Sequence, residues 1–356
     1  MNTKSILTSA LLGAAALLFN ACDGGGPSAS EDAPRDPGRL NLYTWSEYVP
    51  QEVIDAFQDE TGIRVSLETY SSNEEMLAKL LAGGGNYDII LPSEYVVEAL
   101  IRENELMPLD HEKIPNLRNI APEFLDMAFD PGNRFSVPWM AGTVGIVVNT
   151  EMVDIPVEGY ADVFQDRFRN NIVVLDDARE IVSWALAYHG IDINDVSDEN
   201  LAKIRPTLET WLPLVRVYDS DSPKTALLNG DVAVGIVWNG EGAILLNEDS
   251  KFAWTLPREG AHLFVDNLAI PKNARNADNA MLFMNFILRP EISRMISDEF
   301  PYLNPNEVAR QILDDEQLQN EASFPPVEDL ATLSIFTDIG DQASKVDEIV
   351  TSVKAR

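Results

Sequence analysis

The 356-residue chain has one cysteine, three histidines, and 26 basic side chains set against 58 acidic ones. A single cysteine, Cys22, excludes an internal disulfide. His111, His189 and His262 stand far apart, no H-E-x-x-H pair or EF-hand loop occurs, and the sequence therefore specifies no metal site. The shortage of bases leaves a formal charge of −32, which repels phosphate backbones and excludes nucleic acid as a partner. Also missing are a G-x-x-x-x-G-K-[ST] phosphate loop and a G-x-S-x-G nucleophile elbow. The run Gly83-Gly84-Gly85 follows a helical pattern instead of separating a strand from a helix, so it reads as a C-cap and turn.

One apolar run stands out near the start, from Ile6 to Phe19. It follows Lys4, is too short to span a bilayer comfortably, and ends at Asn20-Ala21-Cys22, the pattern of a secretory signal. A small residue before a single cysteine resembles the lipobox of bacterial lipoproteins, although Phe19 and Asn20 depart from its usual residues. The expectation is a signal peptide over 1–21, lipidation at Cys22, and a flexible Gly/Pro/Ser-rich tether over 22–38.

Beyond the tether, strand and helix patterns alternate. Leu40 to Tyr43 and Arg64 to Thr69 read as strands. Between them Val53, Ile54 and Phe57 share a helical face closed by Gly62. Ser72 and Glu75 have capping-box spacing before a helix carrying Met76, Leu77, Leu80 and Leu81, and Ile89 to Leu91 is a third strand. This βαβαβ unit predicts right-handed crossovers and a mostly parallel sheet. Later strands are predicted at Gly145–Asn149, Ile172–Leu175, Val232–Trp238 and Leu263–Ile270. Helices are predicted with Val182, Leu186 and Tyr188 inward and over Met281–Leu288, the latter stopped at Arg289-Pro290. The length and the alternation suit two α/β lobes.

In open α/β sheets ligands sit beyond the carboxyl ends of strands, and four such places here hold acids or aromatics. Trp45, Glu47 and Tyr48 cover a strand end or line a site. Asp177 and Glu180 have capping-box spacing. They could also serve as the acid pair of an extracellular hydrolase, but at one helix start they lie on one side of any bond to be cut. Trp238-Asn-Gly-Glu241 follows a strand, and Asp266 interrupts an apolar one, where a buried carboxylate needs a partner.

These stretches together carry a resemblance. Leu42-Tyr-Thr-Trp-Ser-Glu-Tyr-Val-Pro50, Phe57-Gln-Asp-Glu-Thr-Gly-Ile-Arg-Val65, Tyr87-Asp-Ile-Ile-Leu-Pro-Ser93, Asp176-Asp-Ala-Arg-Glu180, Ile236-Val-Trp-Asn-Gly240, Asp266-Asn-Leu-Ala-Ile-Pro271 and Asn285-Phe-Ile-Leu-Arg-Pro290 resemble, in the same order, the bacterial spermidine/putrescine-binding proteins of ABC importers. The resemblance implies a two-lobed α/β periplasmic-binding-protein fold of type II, each lobe a mostly parallel sheet flanked by helices, with the ligand cleft between them. Lobe 1 would hold 39–145 plus 266–313 and lobe 2 would hold 146–265 plus 314–356.

By the same resemblance Trp45, Ser46, Glu47, Tyr48, Ser93 and Tyr95 line the cleft from lobe 1. Asp177, Glu180, Ser220 and Trp238 face them, with Asp266 as an amine-binding acid and Tyr302 as a further wall. Phe264 stands where spermidine-preferring members carry Trp, and Phe336 where they carry Gln. Glu241 places an acid where the putrescine-preferring branch has one, so triamine and diamine both remain open. The implied protein has no cofactor, works as a monomer at the periplasmic or cell surface, touches the membrane through its lipid anchor, and delivers polyamine to a permease. A receptor of this fold for another cationic amine and a ligand-occupancy sensor are the alternatives. A polyamine is a row of ammonium charges on methylene spacers, which asks for carboxylates beside flat rings; a ring face attracts a cation by roughly 0.5–2 kcal/mol.

Overall fold

The computed structural model describes residues 38–83, 85–326 and 332–355; the expected signal peptide, Cys22 and nearly all of the tether lie outside them. The described residues form nine strands: β1 (Arg39–Trp45), β2 (Arg64–Tyr70), β3 (Ile89–Ile90), β4 (Ser136–Asn149), β5 (Ile172–Val174), β6 (Val217–Tyr218), β7 (Val234–Trp238), β8 (Phe252–Thr255) and β9 (Leu263–Ala269). Their order across the sheet is β2-β1-β3-β9-β4-β7-β5-β6, with β8 paired to β4.

The predicted βαβαβ unit is present, with β1 parallel to both β2 and β3. Its first crossover helix, Gln51–Thr61, buries Val53, Ile54 and Phe57 and ends at Gly62, whose φ of 73° suits a residue without a Cβ. In the second, Asn73–Leu81, Ser72 accepts the Glu75 N–H, but Glu75 turns to the N–H of Ser71 instead of that of Ser72, so half of the expected capping box forms. Met76 is buried there while Leu81 is exposed.

The sheet is mixed where a mostly parallel one was expected. The pairs β5–β6 and β5–β7 are parallel, but β9 and β4 run antiparallel to each other and to their other neighbours. Strand β4 explains this. It is far longer than the predicted Gly145–Asn149, pairing with β9 through its first half and with β7 and β8 through its second. Nearly every side chain on it is buried, so it lacks alternation, and Pro138 sits at a register shift where a ladder N–H is not needed. Tyr188, expected inward, is 44% exposed at the end of helix Ala178–Tyr188, while Val182 and Leu186 are buried. Arg289-Pro290 ends one helix as predicted, and Pro290 then opens the next, Pro290–Glu299, as its first residue.

The described residues form two large apolar cores and a smaller third one around Val147, Leu227, Val237 and Leu245. Of the two large ones, the first gathers Leu42, Phe57, Ile89, Val97, Ala141, Leu268 and Phe283; the second gathers Val144, Ile146, Ile181, Trp184, Ile236 and Val350. Strand β4 passes from the first core to the second between Ala141 and Val144. Among the described residues no helix is long and apolar enough to cross a membrane.

Candidate functional site

The carboxyl ends of β1, β3, β5, β6 and β7 converge on one cavity. Trp45, Ser46, Glu47, Tyr48, Ser93, Tyr95, Asp177, Glu180, Ser220, Trp238, Glu241, Phe264, Asp266 and Tyr302 all line it. Joining them are Tyr70, Ser71, Asn73, Arg179, Asp221, His262 and Phe336. Directly after β1 the chain turns sharply, with Glu47 at φ 49°, a left-handed conformation that non-glycine residues seldom adopt. This turn leaves Glu47 exposed at the rim and sends Tyr48 inward.

Asp266 is buried on β9 and accepts hydroxyl hydrogen bonds from Tyr48 (2.5 Å) and Ser93 (2.6 Å). Asn73 in turn donates to Ser93 Oγ (3.0 Å) and to the Tyr95 hydroxyl (2.9 Å). Burial is the largest influence on Asp266 and raises its pKa to about 7, against the lowering effect of the two hydroxyls. Asp177 caps helix Ala178–Tyr188 by accepting the Glu180 N–H (3.0 Å). Burial, then the nearby Glu74 and Glu180 charges, raise it to about 7 as well. Among the described residues no cationic side chain is hydrogen-bonded to either acid.

The other acids differ. His262, buried and isolated in sequence, donates one ring nitrogen to Glu180 (2.7 Å) and the other to Glu94 (2.8 Å). Burial disfavours the imidazolium, but the two carboxylates outweigh it and raise its pKa to about 9. Glu180 also accepts the Trp184 indole N–H (3.3 Å), and Glu94 the Val265 N–H (2.9 Å). At the other end Lys224 Nζ donates to Glu47 (2.9 Å) and to both oxygens of Glu241 (2.9 and 3.1 Å). The expected set of ligand-ready carboxylates thus divides: Glu47, Glu180 and Glu241 already hold protein cations, and Asp177 and Asp266 do not.

Rings wall the space between. Trp45, fixed by its indole N–H to the Leu91 carbonyl (2.9 Å), lies 6.5 Å from Tyr48, and Tyr48 lies 5.4 Å from Tyr302. Phe264 meets Tyr302 at 6.1 Å and Trp238 edge-on at 5.5 Å. Trp238 is held by donating to the Ser220 carbonyl (3.0 Å). The Gly in Trp238-Asn-Gly240 has a packing reason: a Cβ there would stand 2.5 Å from the Tyr302 ring. Phe336 stacks on His262 at 3.6 Å and carries the Arg179 guanidinium 4.5 Å above its ring. Arg179 is buried, lines the cavity and donates from Nη2 to Asn194 (2.8 Å), while its Nε and Nη1 have no hydrogen-bond partner among the described residues.

Sequence reasoning missed Lys224, Glu94 and Arg179 as neighbours of the site, and it weighed His262 as a metal ligand and nothing else. Lys224 pairs with an acid 177 positions away and His262 with one 168 away, and no local pattern announces such contacts. A cavity with one buried and one half-buried acid that are hydrogen-bonded only to neutral donors, closed in by indole, phenol and phenyl rings, suits a small molecule with separated positive charges and an apolar middle.

Known proteins point the same way. The family model described as bacterial extracellular solute-binding protein matches residues 52–326. A spermidine/putrescine-binding periplasmic protein of Salmonella typhimurium is 33% identical over 332 residues, covering 93% of this chain and 95% of its own. A putrescine/agmatine-binding protein of Pseudomonas aeruginosa is 31% identical, covering 93% and 95%. Among solved structures, a spermidine/putrescine ABC transporter protein of Listeria monocytogenes superposes with a TM-score of 0.86 at 34% identity, covering 89% of this chain and 98% of that one. With the two-lobed α/β fold, the strand-end cavity and these matches in hand, the chain belongs to the bacterial extracellular solute-binding protein family.

Proposed function

We propose that this protein is an extracytoplasmic receptor that captures a polyamine, putrescine or spermidine, and delivers it to the permease of an ABC importer. The observation that carries the reading is the state of Asp177 and Asp266: one half-buried and one buried acid that are hydrogen-bonded only to neutral donors, set among Trp45, Tyr48, Trp238 and Tyr302. A buried carboxylate without a counter-charge is costly, and an ammonium group removes that cost by ionising the acid and hydrogen-bonding to it. The names of the relatives, which bind spermidine, putrescine or agmatine, support the same reading.

We assign 39–145 plus 266–313 to one lobe and 146–265 plus 314–356 to the other, a division supported by the separate clustering of Leu42, Phe57 and Phe283 from Ile181, Trp184 and Val350. Asp266 and Tyr48 then face Asp177 and Trp238 across the cleft, so a diammonium ligand touching both favours the closed form by its contacts to each side. In this reading the protein is a monomer at the periplasmic or cell surface, anchored through lipid at Cys22, and catalyses no reaction. Calorimetric titration with putrescine, spermidine, glutamate and maltose tests it. Saturable binding of a polyamine, with none of glutamate or maltose, is expected; tight binding of glutamate or maltose in preference to either polyamine would refute it.

A further inference from the structure

Two acids of the cleft are occupied by the protein's own ammonium group. Lys224, at the start of helix Lys224–Leu228 beyond β6, places Nζ 2.9 Å from Glu47 and 2.9 and 3.1 Å from the oxygens of Glu241, with the Ser222 hydroxyl at 3.1 Å. Glu241 lines the cavity with a side chain 5% exposed, and the Lys224 side chain is 15% exposed. The backbone N–H of Lys224 also points at Glu241 (3.3 Å). These are the contacts an ammonium end of a bound polyamine would make. They join the turn after β1, which packs on the first core, to helix Lys224–Leu228, which packs on the smaller third core.

We propose that Lys224 is a specificity-determining residue: its side-chain ammonium is a tethered occupant of one cation position in the cleft, so the ligand that completes the site is a diamine. This rests on the polyamine reading above. Asp177 and Asp266 remain for two ligand ammonium groups, because Glu180 is bonded to His262 and Trp184. A third ammonium arriving at Glu241 would have to displace Nζ from three carboxylate contacts and leave two cations beside one buried acid. A third ammonium left at the rim would gain little, since exposed ion pairs are screened by solvent and hold two long side chains at an entropic cost. Selectivity thus comes from a repulsive element as well as from matched acids.

Calorimetric titration of the wild-type protein and of Lys224→Met and Lys224→Gln with putrescine and spermidine tests the inference. Wild type should bind putrescine at least about tenfold more tightly than spermidine. The ratio of spermidine to putrescine affinity should rise at least about tenfold in Lys224→Met, where Glu241 is left for the third ammonium, a change equivalent to about 1.4 kcal/mol. Lys224→Gln should move the ratio in the same direction, and the wild-type ratio decides alone if neither variant folds. Binding of both polyamines with spermidine preferred by wild type, or with a ratio unmoved by the substitutions, would overturn the inference and leave the receptor reading intact. Absence of binding by both would overturn the two together.

Discussion

Tyr48 donates its hydroxyl to Asp266 at 2.5 Å, tying the turn after β1 to β9 across 218 positions of sequence. Ser93 approaches the same carboxylate from the β3 side at 2.6 Å. Both donors are neutral, so they orient Asp266 without supplying the charge that its burial calls for. The first prediction follows from this arrangement. Asp266→Asn keeps the size of the side chain but removes its charge and replaces one of its two acceptor oxygens with an NH2 donor, and a hydrogen bond to a charged group contributes about 1.5–3 kcal/mol. Polyamine affinity should fall roughly 10- to 150-fold by calorimetry. Unchanged affinity would remove Asp266 from the site.

The same substitution should stabilise the ligand-free protein at neutral pH. Asp266 has a folded pKa of about 7, above the ordinary 3.8, so the folded wild type holds a proton that the unfolded chain releases. Wild-type stability from this group is full below about pH 4 and is lost as the pH rises to 7. Asp266→Asn lacks that loss. The melting temperature of the variant relative to wild type should therefore climb between pH 4 and 7 and level off above; a difference independent of pH would contradict the burial argument.

Ligand binding should itself depend on pH in the opposite sense. Burial raises the pKa values of Asp177 and Asp266 to about 7, and an ammonium neighbour stabilises their ionised forms. Affinity should rise with pH up to about 7, at most about tenfold per unit for each acid, and then flatten. Calorimetry at pH 6 in buffers of different ionisation enthalpy should show proton release on binding, and at pH 8.5 almost none. Proton uptake at pH 6 would mean that other groups govern the site.

His262 makes a separate, structural prediction. Its pKa of about 9 exceeds the ordinary 6.5, so its pairing with Glu94 and Glu180 stabilises the fold fully below pH 6.5 and ceases to do so as the pH rises through 9. His262→Gln should cost about 3–5 kcal/mol near pH 6, because two buried carboxylates lose their counter-charge. The cost should shrink above pH 9. Denaturant titration at the two pH values would read the difference, and an equal cost at both would rule out the imidazolium.

Much of this site is legible in the sequence because acids and aromatics immediately follow strand patterns, as Trp45, Glu47, Asp177 and Trp238 do. The helix of Val53, Ile54 and Phe57 is legible for the same local reason, its apolar spacing. Charge compensation is not local. Glu47 and Glu180 read as ligand acids until Lys224 and His262 are brought to them by the fold. Strand β4 extends well beyond the legible Gly145–Asn149 because a strand buried on both faces lacks the alternation that would announce it, and the spacing does not fix Tyr188 because a helix end offers too few residues to define a face.

Gly240→Ala tests the aromatic wall apart from the charges. The added methyl would meet the Tyr302 ring at 2.5 Å, and overpacking of this kind costs about 1–3 kcal/mol. The displacement of Tyr302 should weaken polyamine binding several-fold while the protein stays folded by circular dichroism. Full affinity in a folded variant would show that Tyr302 does not shape the ligand's path.

The most direct measurement is a crystal structure of the complex with putrescine. The account predicts one amine nitrogen within hydrogen-bonding distance of Asp266 and the other within reach of Asp177, with the methylene chain between the rings of Trp238 and Tyr302 and with Lys224 still on Glu241. A diamine bound outside the cavity, or with both nitrogens away from those two aspartates, would contradict it.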